Sequence, residues 1–162
     1  MNKIMWVISI LMFCNLTKCV EYNSIRIDKD ILNGWDIDES MKFEIKDTID
    51  FTSNIYFYIR NNNDYPFSNI FLIASVKSNQ NIYEIDTLEY TMANNKGEWL
   101  GKGFSMIKES KLSWKRSWKP NFPPPYFFEI KQANRKIGQI RADKKLVGIL
   151  TFGLSIEKTL NE

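Results

Sequence analysis

The chain has no histidine. Its absence removes the side chain that most often serves as general base or metal ligand near neutral pH. The charge balance is only +3, so composition alone gives no reason to expect a polyanionic partner. No helical period of useful length appears. Asp28, Asp30, Asp36, Asp38 and Glu39 cluster early, but they lack the ligand spacing and the glycine of an EF-hand calcium loop. They read as a solvated acidic lead-in. Ser105 and Lys108 fit the bare S-x-x-K pattern, yet the companion S-D-N and K-T-G motifs are missing and no helix start surrounds Ser105. The match is taken as chance, and with no base in sight the chain is read as a non-enzyme that needs no metal or cofactor.

The longest apolar run, residues 4–13, falls well short of the roughly 20 residues needed to span a bilayer. It follows Lys3 and stops at Cys14. One basic residue and an apolar segment of this length fit a secretory signal. Bacterial lipoproteins carry Leu three residues before the lipidated cysteine and a small residue directly before it. Leu11-Met12-Phe13-Cys14 supplies the Leu but has bulky Phe13, whereas Leu16-Thr17-Lys18-Cys19 places Lys18 at the cut and polar Asn15 in the apolar run. Cys14 is therefore the expected lipidation site, with residues 1–13 as the signal peptide. An ordinary signal peptide with Cys19 free, or a Cys14–Cys19 disulfide, are the alternatives. Lipidation would hold the protein to a membrane in the cell envelope, outside the cytoplasm.

Residues 14–162 suffice for one domain. From Met41 onward apolar residues recur with period two, the mark of half-buried strands. Met41, Phe43 and Ile45 form one inward stripe, and Ile55, Phe57 and Ile59 the next. Residues 70–76 are apolar on both faces, as suits a central strand. Further stripes are Leu88, Tyr90 and Met92; Leu112, Trp114 and Trp118, interrupted at Arg116; Tyr126, Phe128 and Ile130; and Leu150, Phe152, Leu154 and Ile156. Turn chemistry at residues 61–66, 79–81, 94–97 and 123–125 separates them. Seven strands with one apolar face each must close on themselves or pair as two sheets. The expected fold is all-β, a single antiparallel β-sandwich of seven to eight strands over residues 41–158, behind a signal peptide and a polar lead-in over residues 14–40. Residues 133–145 are left as a loop or one short helix.

Lys108, Lys111, Lys115, Arg116 and Lys119 interleave with Trp114 and Trp118, as on a single-strand nucleic-acid platform. Export argues against that partner. The plainer reading is a strand whose tryptophans fill the core while its lysines meet water. Tyr56, Tyr58 and Asn54 are the nearest match to a sugar-binding face, and a carbohydrate-binding envelope sandwich is kept as the alternative function.

Three segments carry a family likeness: Ile59-Arg60-Asn61-Asn62-Asn63-Asp64-Tyr65-Pro66-Phe67-Ser68-Asn69-Ile70-Phe71-Leu72, then Asp86-Thr87-Leu88-Glu89-Tyr90-Thr91-Met92-Ala93, then Gly97-Glu98-Trp99-Leu100-Gly101-Lys102-Gly103-Phe104. Together they closely resemble the gliding motility lipoprotein GldH family, and the likeness extends over nearly the whole mature chain. The resemblance implies a membrane-anchored accessory protein of gliding motility, associated with other envelope proteins of motility or secretion and not with nucleic acid. Demanding backbone geometry and large aromatics mark Tyr65, Pro66, Phe67, Trp99, Gly101, Gly103 and Phe104 as the expected partner contacts; the alternative is that these are fold-specifying turns, with Trp99 capping the sandwich end.

Overall fold

The computed structural model describes residues 24–79, 81–135 and 144–159. The signal peptide, Cys14, Cys19 and most of the stretch left as loop or helix lie outside them. In chain order the strands are β1 (Ser24–Asp30), β2 (Trp35–Asp36), β3 (Met41–Ile45), β4 (Ser53–Asn61), β5 (Asn69–Ser78), β6 (Asn81–Thr91), β7 (Lys108–Trp118), β8 (Tyr126–Gln132), β9 (Lys145–Leu146) and β10 (Ile149–Lys158). No helix occurs among the described residues. One antiparallel sheet runs β1-β10-β4-β7 and the other β3-β8-β5-β6, with β2 and β9 paired as a short clip.

All seven expected strands form, and their inward stripes meet. Phe57, Phe152, Ile55 and Ile59 from the first sheet, and Ile70, Leu72, Phe128 and Ile130 from the second, are almost fully buried. Across the interface Phe152 lies 6.1 Å from Phe43, centroid to centroid, and Trp114 lies 6.1 Å from Phe128. The structure adds strands inside the expected lead-in. β1 pairs along β10 from Ser24 opposite Glu157 to Asp30 opposite Thr151, and Trp35 of β2 seals the core 5.1 Å from Phe152. Among the described residues the sandwich thus takes in strands ahead of Met41, from Ser24 onward. Ile25 and Ile27 do alternate with Arg26 and Asp28, but so short and polar a run carries little period.

Two inward assignments change because of bulges. A register shift between Ile149 and Thr151 turns Ile149 into the core in place of Leu150. Along β7, Lys115 faces Ile55 of β4 while Ser113 faces Tyr56, so Trp114 and Lys115 share one position in the ladder. The interruption at Arg116 belongs to the same irregular stretch, where Ser117 has φ 51°. Lys115 therefore faces inward rather than water, and its Nζ lies 2.7 Å from both Glu84 and Asp86 of β6. Beside it, Trp114 Nε1 donates to Asp86 at 2.9 Å and Trp118 Nε1 to Glu84 at 2.7 Å. These bonds sew the two sheets together along one side. The tryptophans are buried as expected; the lysine is part of the seam.

Burial pushes the Asp86 carboxyl up, but the hydrogen bonds from Lys115 and Trp114 outweigh it and hold the group below its ordinary range. Glu129 is held low by Lys77 and Ser40, against a smaller opposing effect of burial. Carboxyls depressed in the folded state stabilise it above their unfolded pKa, and that contribution is lost as pH falls through the folded values. The melting temperature is therefore expected to drop below about pH 4, where the unfolded carboxyls begin to bind protons. In Lys115→Met a thermal melt series should show a shallower acid decline, because Asp86 then loses its main reason to stay ionised.

Candidate docking surface

Registers place all the connecting loops of interest at one end. Ser24, Glu157, Asn54 and Trp118 lie toward one end of the first sheet; Asp30, Thr151, Arg60 and Glu109 lie toward the other. The second end carries the turn after β4, the long loop between β6 and β7, and the β9–β10 turn.

The turn after β4 is built by asparagine chemistry. Asn62 Oδ1 accepts from the Asp64 N–H at 3.0 Å, an Asx turn, and the Asn62 N–H donates to the Gly148 carbonyl at 2.9 Å. Tyr65 folds inward with 3% exposure and donates its hydroxyl to the Asn69 carbonyl at 2.7 Å. Burial raises its pKa, against the hydrogen bond from Asn134. Asn134 is the hidden brace: its Oδ1 accepts from the Phe71 N–H at 2.8 Å, and its Nδ2 donates to Asn69 O at 3.2 Å and to the Tyr65 hydroxyl at 3.3 Å.

The long loop starts as a tight turn. Asn94 Oδ1 accepts from the N–H groups of Lys96 and Glu98 at 2.9 and 3.0 Å. Trp99 then lies against the turn after β4, its Nε1 donating to Asn63 Oδ1 at 3.0 Å and its ring 6.1 Å from Tyr65. Lys102 and Glu109 exchange backbone bonds of 2.8 and 2.7 Å, making a stem with residues 103–107 as its tip. Gly103 has φ 150°, and a Cβ there would meet the Ile107 carbonyl oxygen at 2.5 Å. A Cβ on Gly101 would also be too close, 2.9 Å from Glu109 O. Lys108 Nζ donates to the Gly103 carbonyl at 2.7 Å, not to Ser105. Phe104 at the tip is 97% exposed, and Leu100, Met106 and Ile107 are exposed around it.

The two segments expected to form one surface thus touch each other, with their roles redistributed. Tyr65 is core, Trp99 is half-buried and Phe67 packs 5.8 Å from Tyr65. These aromatics brace the platform, while Pro66, Gly103 and Phe104 are open to solvent. Leu100, Met106 and Ile107 were missed. Their signal was present: apolar residues in a glycine-bearing stretch that fits no strand period. Asn134 carried no signal, because its partners lie more than 60 residues away. A groove of about 600 Å³ runs beside the stem, lined by Tyr58, Thr91, Leu100, Lys102 and Lys111.

The fold and this end define an all-β sandwich presenting a braced, apolar loop tip. A family model described as GldH lipoprotein matches residues 23–156. The chain is 39% identical over 158 residues to the gliding motility lipoprotein GldH homolog of Christiangramia forsetii, covering 96% of this chain and 94% of that protein. It is also 39% identical over 132 residues to the gliding motility lipoprotein GldH of Flavobacterium johnsoniae, covering 80% and 81%. No solved structure matches. The chain belongs to the GldH lipoprotein family.

Proposed function

We propose that this chain is a lipid-anchored, non-enzymatic protein of the cell envelope that supports a gliding motility or secretion assembly by docking other envelope proteins. Its relatives are named gliding motility lipoproteins. The lipid is carried by Cys14, and β1 begins ten residues later at the end of the sandwich remote from the loop tip. The observation that carries the docking reading is Phe104, 97% exposed on a hydrogen-bonded stem among further exposed apolar side chains. Such a cluster costs solvation unless a partner covers it, and exposed aromatics at a fixed position are common interface anchors.

The sugar-binding alternative loses its support at the rings it needs. The Arg26 guanidinium carbon lies 3.8 Å from the Tyr58 ring centre, and Lys111 Nζ lies 4.0 Å from that of Tyr56. Asn54 Oδ1 is spent on the Ser117 N–H at 3.0 Å. A sugar would have to displace a cation before stacking on either tyrosine.

The test is capture of neighbours by the full-length protein from cross-linked membranes, with Cys14→Ser as a control expected to leave the membrane. Phe104→Ala should weaken capture by roughly thirtyfold, a hot-spot loss of about 2 kcal/mol. The melting temperature should stay put, because Phe104 buries nothing. Trp99→Ala, by contrast, should lower stability as well, since it removes a bracing contact. Unchanged capture by Phe104→Ala would overturn the docking surface, and membrane retention of Cys14→Ser would overturn the anchor.

A further inference from the structure

The two sheets have four edges, and three are guarded. β1 carries Arg26, Asp28, Lys29 and Asp30; β3 is only five residues long; β7 has Lys108, Lys111 and Arg116 along it and irregular register near its end. Charge, shortness and bulges are the usual devices that stop a sheet edge from pairing with another chain. β6 is long and its charge is all of one sign: its three carboxylates discourage an acidic strand but not a cationic one. It is eleven residues long and contains no lysine, arginine or proline. Its one irregularity sits at Tyr83, which leaves residues 84–91 in unbroken register with β5. Ile85 is 64% exposed on the outer face of this stretch. Among the described residues no other strand pairs with the far side of β6.

We propose that this edge accepts an extended, cationic segment of a partner protein, which adds a fifth strand to the β3-β8-β5-β6 sheet. This surface is separate from the loop tip and does not depend on it. Charge decides the occupant. β6 holds Glu84, Asp86 and Glu89 and no cation of its own. Lys115 lies against both Glu84 and Asp86, so one positive charge answers two negative ones, while among the described residues Glu89, on the Ile85 face, is met by the neutral amide of Asn69 at 2.7 Å. The edge therefore stays net negative. A second copy meets its own charge in the two registers that would bring the Ile85 side chains or the Asp86 positions together. Antiparallel pairing centred on Ile85 would stack the two isoleucines but set Glu84 opposite Asp86, and pairing centred on Asp86 would set that carboxylate against itself. Like charges directly opposite across a ladder are destabilising. A strand alternating lysine with β-branched residues satisfies both the acidic side and the Ile85 side, and main-chain bonds supply the rest of the affinity.

The probe is a blocked decapeptide alternating lysine and valine, with a glutamate–valine peptide as its counterpart, added to the full-length protein in neutral detergent. Amide hydrogen exchange across residues 84–91 should slow by about tenfold or more with the lysine peptide, as opening is suppressed, and remain unchanged with the glutamate peptide. Ile85→Lys should abolish that protection without shifting the melting temperature, because Ile85 is exposed. Equal protection by both peptides, or protection only elsewhere, would overturn the proposal. So would edge amides already slow without peptide, which would mean the chain covers its own edge. Concentration-dependent association abolished by Ile85→Lys would name a second copy as the occupant instead.

Discussion

Replacing Phe152 by alanine is expected to lower the free energy of unfolding by roughly 3–5 kcal/mol, a large share of what a domain of this size possesses. The residue is central to the sandwich: its ring lies 5.1 Å from Trp35, 5.2 Å from Phe57 and 6.1 Å from Phe43. These three neighbours come from the clip strand and from both sheets. No single shift can collapse the space left by the ring, and the cost of a core truncation rises with the cavity that remains. Urea unfolding should show a displaced midpoint with an unchanged slope, since the surface exposed on unfolding is nearly the same. Leu150→Ala is the internal comparison, because the bulge leaves that side chain only half-buried. A larger loss for Leu150→Ala than for Phe152→Ala would contradict the register of β10.

Gly148→Ala is the second large effect, expected at roughly 2–5 kcal/mol from combined backbone strain and overpacking. Gly148 has φ +78°, where a side chain is strained whatever the space. A Cβ there would also lie 2.6 Å from both Asp64 C and Tyr65 Cα, and closer still to Tyr65 N. All are backbone atoms that cannot swing aside. The displaced segment is the Asx turn that Trp99 leans on, so capture of partners through Phe104 should fall together with stability. Gly97→Ala separates the causes, because Gly97 has φ +80° with nothing within 4 Å of its would-be Cβ. It should cost only about 1–2 kcal/mol, the strain alone. Equal denaturation midpoints for the two variants would show that the turn after β4 yields without penalty.

Seven strands could be read directly because alternation is a local property: the inward residues of β3, for example, are each flanked by charged neighbours. What escaped was set by contacts distant in sequence. The bulge that turns Lys115 inward makes sense only once Glu84 and Asp86 face it from β6. β1 gains its place from β10, more than 120 residues later in the chain. The candidate surface was legible as turn chemistry, since Asn62, Asn94 and the glycines dictate local backbone paths wherever they occur. Exposure was not legible. Tyr65 and Trp99 are the conspicuous residues in the sequence, but large rings near a sheet end are also the best available lids for its core. The surface fell to Leu100, Phe104, Met106 and Ile107.

The antiparallel pairing of β1 with β10 also fixes how the molecule bears load. A pull between the N-terminal residues and the loop tip runs along β1, so the seven paired positions from Ser24 to Asp30 resist in shear and must fail together. A pull between residues 24 and 158 acts where Ser24 and Glu157 already face each other, and it peels the same ladder one rung at a time. The Arg26 side chain adds a cross-tie on the sheared face, reaching Glu109 of β7 at 3.0 Å. The sandwich is stiff along the axis joining its Ser24 end to its loops and weak across it.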